Sequence, residues 1–372
     1  MNGKKMSGAL IALALLAAAA TLFAPAARPA SASSMLSVQQ TGSGLVTSDP
    51  LTTGNTSLWT FGGSAAVYGA PYAYYEDSSG LHIGVQPNTA GQWAGYYAAR
   101  GESAGLFHAT LSLPSSTLAA DQSFNTGLYV QTGGSNVDYV TCAGEVDQGG
   151  YAWSVVQATG NQYGATQFNT LWFEWMNGQP LTRGCTIVTN GSNMLQVYLD
   201  GSLVYSSSSM NLGYQYPLTT FLEVQSTDNT TMHYSTYTDY YATTSGNITV
   251  NGAPAGSTVQ LIGASGAVLA SGRASLSGTA VLDVTMYNMP LSANIVVTDL
   301  GVTVASTSSP AAIYGGDAYA LTAGSGSTLA PTSGPYTANP TISGDISTSV
   351  GQGIGLLPGP SSGDVCLLGI CL

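Results

Sequence analysis

The stretch from Met194 to Ser207, MLQVYLDGSLVYSS, places two alternating apolar and polar arms on either side of Asp200-Gly201. An Asp-Gly pair readily adopts the positive-φ backbone of a two-residue type I′ turn, whose twist matches that of the flanking strands, so this stretch reads as a β-hairpin. Working outward, LHIGV, AGLFHATLSL, TGLYVQTG, YAWSVVQA, LWFEW, TIVTN and TTFLEVQS repeat short period-2 runs between Gly, Asn, Ser and Pro breaks. No helix-length periodicity follows residue 32. Many short strands between turn signals predict an all-β, antiparallel jelly-roll sandwich over residues 51–242.

The ends of the chain read differently. Lys4 and Lys5 precede an apolar run from Met6 to Ala24, and Ala30-Ser31-Ala32 offers the small residues of a cleavage site, so residues 1–32 read as an export signal and the protein as secreted or extracellular. Residues 33–50 read as a linker. From Gly246 a second series of shorter strands with an Asn251-Gly252 turn runs to residue 321 and reads as a small immunoglobulin-like β-sandwich. Residues 322–372 are a Gly/Ser/Thr/Pro-rich low-complexity tail that closes on the apolar VCLLGICL. That last segment is compatible with docking on a domain, pairing with another chain or attachment to a cell surface.

Of the 372 residues only 6% are charged, while 47 are Gly and 22 are Tyr. Removal of residues 1–32 leaves Arg100, Arg183 and Arg273 against 18 acidic residues, a formal charge of −15. Nucleic acid is excluded as a partner, since its binding draws on clustered Lys and Arg. A chain with few carboxylates to protonate suits an acidic setting. Cys142 and Cys185 lie in strand-like surroundings and are expected to be bridged in an oxidising compartment. Cys366 and Cys371 are spaced for a small local ring, or for a link between chains. No C-x-x-C is present and His82, His108 and His233 are scattered, so neither a metal site nor a cofactor is expected.

Two sets of residues carry candidate chemistry. In CAGEVDQGG, Glu145 and Asp147 alternate onto one strand face and resemble the E-x-D-x-(x)-E strand of laminarinase-type glucanases, but Gly149 or Gly150 stands at the third carboxylate. The second set is QWAGYYAARGESAGLFHATLSLPSS (residues 92–116), then TGLYVQTG, then TTFLEVQS. In that order, with Trp93, Gly95, Phe107 and Pro114 in the early segments, they resemble the glutamic peptidases (eqolisins). The resemblance implies a concanavalin A-like jelly roll that cuts polypeptide in acid. Glu223 would be the general base and Gln131 the oxyanion donor, with substrate contacts at Trp93, Tyr129 and Trp153. Val155 stands where the family carries a supporting glutamate, and Val224 where it carries a tryptophan. Parity agrees with the pairing, because Gln131 and Glu223 each lie on the less aliphatic face of their strands. The alternative is a non-catalytic carbohydrate-binding or cell-surface adhesion module. It would use aromatic faces drawn from Tyr72, Tyr74, Tyr75, Trp93, Tyr96, Tyr97, Trp172 and Trp175 to stack on polysaccharide.

Overall fold

The computed structural model describes residues 36–115, 118–132, 138–160, 166–176, 180–212, 216–308 and 310–322, together with Cys366–Leu367 and Ile370–Cys371. Residues 1–32, expected above to be an export signal, most of the tail and the side chains of Cys366 and Cys371 lie outside the described residues. The hairpin that opened the sequence reading is present. Asp200 and Gly201 have φ of 49° and 75° and join β13 (Leu195–Leu199) to β14 (Ser202–Ser207).

Two antiparallel sheets form the jelly roll. The first runs β11 (Thr166–Met176), β10 (Gly150–Gly160), β9 (Tyr139–Asp147), β8 (Ser123–Thr132), β15 (Leu218–Ser226), β6 (Gln92–Ala98), β3 (Trp59–Gly62). The second runs β14, β13, β12 (Thr182–Thr189), β7 (Leu106–Ser112), β16 (His233–Thr243), β5 (Gly80–Val85), β4 (Tyr72–Asp77). Their inner faces interleave Leu128, Val130, Trp153 and Leu222 with Leu81, Ile83, Phe107 and Ile187, all fully buried. Cys142 of β9 and Cys185 of β12 meet in this core as a disulfide with a Cα–Cα distance of 6.0 Å. The only described α-helix is one turn, α1 (Ser64–Val67).

Within residues 33–50, expected as a linker, the described residues form two paired strands. β1 (Leu36–Gly42) pairs parallel with β22 (Val302–Ser306) and antiparallel with β24 (Ala318–Thr322). β2 (Leu45–Asp49) pairs with β16 in the jelly roll. The second unit is therefore built from both ends of the folded region. It comprises β1, β17 (Asn247–Asn251), β18 (Thr258–Gly263), β19 (Val268–Arg273), β20 (Ala280–Asp283), β21 (Leu291–Asp299), β22, β23 (Ala311–Ile313) and β24. The sheet curls until Gly272 of β19 abuts Val281 of β20, enclosing Val38, Val250, Leu261, Leu282, Ile295 and Val297. The chain enters and leaves the jelly roll at one place. Gly44 N–H donates to Asp317 Oδ1 at 2.7 Å and Thr244 N–H to Gly44 O at 2.8 Å, and a side chain at Gly44 would strike Gly315 and Gly316.

The outer face of the second sheet rests on this unit through Leu106, Val188, Tyr198 and Tyr241. A bulge at Asp239, whose φ is 56°, breaks the β16 alternation, so that Tyr240 turns into the jelly-roll core while Tyr241 faces the second unit.

Two stability outcomes follow from this construction. The Cys142→Ala/Cys185→Ala double variant opens a loop closed over a sequence separation of 43, and denaturant titration should read a loss of about 4 kcal/mol. Deleting residues 33–43 strips β22 and β24 of their shared partner, and calorimetry should show the second unit's transition lost while that of the jelly roll persists. A two-transition trace unchanged by the deletion would contradict the pairing.

Candidate functional site

Directly opposed residues of antiparallel strands share a face, so the register maps the outer face of the first sheet row by row. One row is Trp93, Gln225, Asn125, Glu145; the next is Gly95, Glu223, Gly127, Ala143; the next is Tyr97, Phe221, Tyr129, Thr141. Gln131 lies in the row beyond, opposite Thr219 and Tyr139.

Glu223 stands between two glycines, and a Cβ at Gly127 would press into the Tyr129 ring and Thr141 Oγ1. Tyr97 OH donates to Glu223 Oε2 at 2.8 Å, while Oε1 has no partner. Among the described residues no cation faces it, and burial pushes the carboxyl up to about 8. Tyr129 and Phe221 stack at 4.4 Å beside it, with Tyr139 edge-on to Tyr129 at 5.2 Å.

The expected catalytic pair does not assemble. Gln131 and Glu223 share the face, but Glu223 is level with Gly127, four residues from Gln131, an offset of about 13 Å along the strands. The stacked Tyr129 and Phe221 fill the row between, so one water and one carbonyl cannot touch both groups. Tyr129 is thus a wall between the two polar residues. Trp93 is on the same face, with its Nε1 lacking a partner. Trp153 is on the opposite face, fully buried in the core against Gly144 and Leu113, and cannot contact substrate.

Sequence reasoning underrated Glu145 and passed over Asn125, Thr141 and Ser154, whose buried side-chain oxygens on this face have no partner. Burial, reinforced by the negative charge of Asp147, pushes the Glu145 carboxyl well above its usual range. Asp147 itself is occupied in the β9–β10 turn, where Oδ1 accepts from the backbone N–H of Gly149 at 2.6 Å and Gly150 at 3.1 Å.

An accessible aromatic site lies elsewhere, at the mouth of the sandwich where the edge strands β3 and β4 meet. Phe61 stacks on Tyr74 at 4.0 Å and on Tyr72 at 5.0 Å, with Tyr96 edge-on. Tyr72, Tyr74 and Tyr75 are 40%, 47% and 50% exposed. Around the strand edge, Tyr75 stacks on His82 at 4.5 Å beside Tyr234. A cavity of about 80 Å³ opens at Asn55, Thr56, Trp59, Phe61, Tyr74 and Tyr96. A second, of about 220 Å³, shares Trp59 and is lined also by Thr47, Arg100, Glu102 and Tyr240. Glu102 accepts from Tyr240 OH at 2.7 Å and Thr220 Oγ1 at 3.0 Å, and burial raises its pKa. Among the described residues no group of His, Cys, Asp and Glu is arranged to hold a metal ion.

No family model and no curated protein matches this chain. Among solved structures it is similar to the kappa-carrageenase from Pseudoalteromonas carrageenovora, at 8% identity over 59% of this chain and 98% of that one, with a TM-score of 0.35. It is similar also to LamAcat from Zobellia galactanivorans (12%, 53% and 97%, TM-score 0.36) and to the carbohydrate-binding module CBM66 from Bacillus subtilis (8%, 50% and 95%, TM-score 0.30). At these scores the likeness assigns no chemistry. The jelly roll rests on the strand order and register described above.

The pH dependence of stability isolates Glu223. Its folded-state pKa lies above the unfolded value, so the folded state holds its proton more tightly; the stability this gives is complete below about pH 4.5 and is lost as pH rises to about 8. His108 works in the opposite sense, because burial holds it down to about 3 and it costs stability as pH falls below 6.5. Glu223→Gln keeps an acceptor for Tyr97 OH without a titrating proton. Its melting temperature should match that of the parent protein in acid and exceed it increasingly towards pH 8; parallel curves would refute a buried neutral carboxyl.

Proposed function

We propose that this is an exported, non-catalytic carbohydrate-binding module that holds neutral polysaccharide at the β3/β4 mouth of its jelly roll. The observation that carries the reading is the stack of exposed Tyr72 and Tyr74 on half-buried Phe61. The C–H faces of a pyranose ring pack on aromatic faces, and such a site needs only a few polar groups to fix orientation. Asn55 and Thr56 beside the smaller cavity, and Thr47 and Arg100 beside the larger, supply them. Hydrolysis lacks comparable support. The Gln131 and Glu223 side chains are held apart by an aromatic row, and Asp147 is committed to a turn. The inter-sheet disulfide and the basic, then apolar, leader suit export.

Retention on insoluble polysaccharides tests the reading. Tyr74→Ala and Tyr72→Ala should each weaken binding roughly ten-fold, about 1.4 kcal/mol, whereas Glu223→Gln leaves it unchanged and high salt does not elute the protein. Retention that survives loss of both tyrosines, or acid cleavage of a denatured protein abolished by Glu223→Gln, would overturn it.

A further inference from the structure

The cavity of about 220 Å³ is lined by one acidic side chain, Glu102, which is only 6% exposed. Its backbone fixes it there: Glu102 N–H donates to Leu218 O at 2.6 Å and Leu218 N–H to Glu102 O at 2.9 Å, pinning the residue to the start of β15. Trp59 and Tyr240, edge to face at 4.8 Å, line the same cavity. Tyr240 OH and Thr220 Oγ1 both donate to Oε2 of Glu102, at 2.7 and 3.0 Å. Burial, and then the Glu102 charge, hold the Tyr240 proton on its oxygen, so this hydroxyl always donates. With Oε2 accepting twice, the proton of the neutral carboxyl belongs on Oε1. The cavity wall thus carries an O–H donor that only the acid form supplies.

We infer that Glu102 is the specificity-determining residue of the larger cavity, where its Oε1–H donates to a ring or hydroxyl oxygen of the bound sugar. The assignment rests on the β3/β4 mouth being the sugar site. Desolvation raises the Glu102 pKa, against the hydrogen bonds from Tyr240, Thr47 and Thr220 that favour the ionised form. The donor is therefore present in acid and lost as pH rises through that raised value, and the ligand is held and released accordingly. Three other charged groups lie around the mouth. Arg100 lines the cavity but is exposed, where water and salt screen it. Asp49 of β2 is engaged by Trp59 Nε1 at 3.0 Å and by the Leu51 N–H at 2.8 Å. Glu76 of β4, beside Tyr96, is also shifted upward, by burial and by the Asp49 charge, and has to be separated from Glu102 by experiment.

Retention of the full chain on insoluble cellulose, chitin and mannan, followed from about pH 4 to about pH 8, reads the assignment. The parent protein should bind roughly ten-fold more weakly at the upper end, the loss of one buried donor to the ligand. Glu102→Gln keeps an N–H donor at every pH and should bind with a flat profile, whereas Glu76→Gln should keep the parent slope. Tyr240→Phe removes a donor that favours the carboxylate and should move release to higher pH. Circular dichroism at each pH reports that the fold is kept. A flat parent profile, the parent slope in Glu102→Gln, a flat profile in Glu76→Gln, or release moved to lower pH by Tyr240→Phe would overturn the role of Glu102 and leave the tyrosine stack standing as the binding site. Absence of retention on all three polysaccharides at every pH would overturn both readings together.

Discussion

The central constraint is that the first jelly-roll sheet buries both of its faces. One face carries Leu128, Val130, Trp153 and Leu222 against the second sheet; the other carries Tyr97, Tyr129, Tyr139 and Phe221 with almost no exposure. Because side chains alternate with period 2, any polar residue in these strands is carried into one of two dry layers. Glu223 and Glu145 are held there without a counter-charge among the described residues, and each is more easily kept neutral than ionised. The same constraint separates a buried aromatic face, which organises the fold, from the half-exposed rings at the sandwich mouth, which face solvent.

The carboxyl groups and the composition belong together. Glu102, Glu145, Glu223 and Asp317 are all buried and all shifted upward by desolvation. A protein with several such groups gains nothing from a neutral or alkaline medium, where each is drawn towards ionisation inside an apolar layer. His108, stacked on Tyr241 at 4.6 Å and bonded to Thr186 Oγ1 at 2.8 Å, opposes them from the other side of the molecule. The balance favours mild acid over either extreme.

The elements legible in the sequence are those fixed by neighbouring residues. The Asp200-Gly201 hairpin follows from local turn chemistry, and the alternating runs declare strands. The Cys142–Cys185 bridge was readable from strand context and the expected compartment. Parity also placed Gln131 and Glu223 on one face. Their four-residue stagger was not legible, because the register between β8 and β15 is set across some ninety positions by the packing of Tyr129 on Phe221. Trp153 was misplaced for a related reason: one step of parity in β10 decides between cleft and core. The aromatics of the mouth were visible as Tyr72, Tyr74 and Tyr75, but only the meeting of two edge strands shows that their rings remain half exposed. Glu102 and Arg100 carried no motif, since they lie between strands and acquire meaning only beside Trp59 and Tyr240.

β1 has a consequence for biogenesis. It is the first described strand to leave the ribosome, yet both of its neighbours, β22 and β24, are synthesised some 270 to 285 positions later. Until they arrive, its backbone donors and acceptors have no native partner, whereas the whole jelly roll can condense in the interval. Synthesis of this chain from its N-terminus therefore holds an unpaired edge open until its last paired strands emerge. The alternation of Leu36 and Val38 with Ser37 and Gln39 limits how much apolar surface that waiting strand shows to other nascent chains.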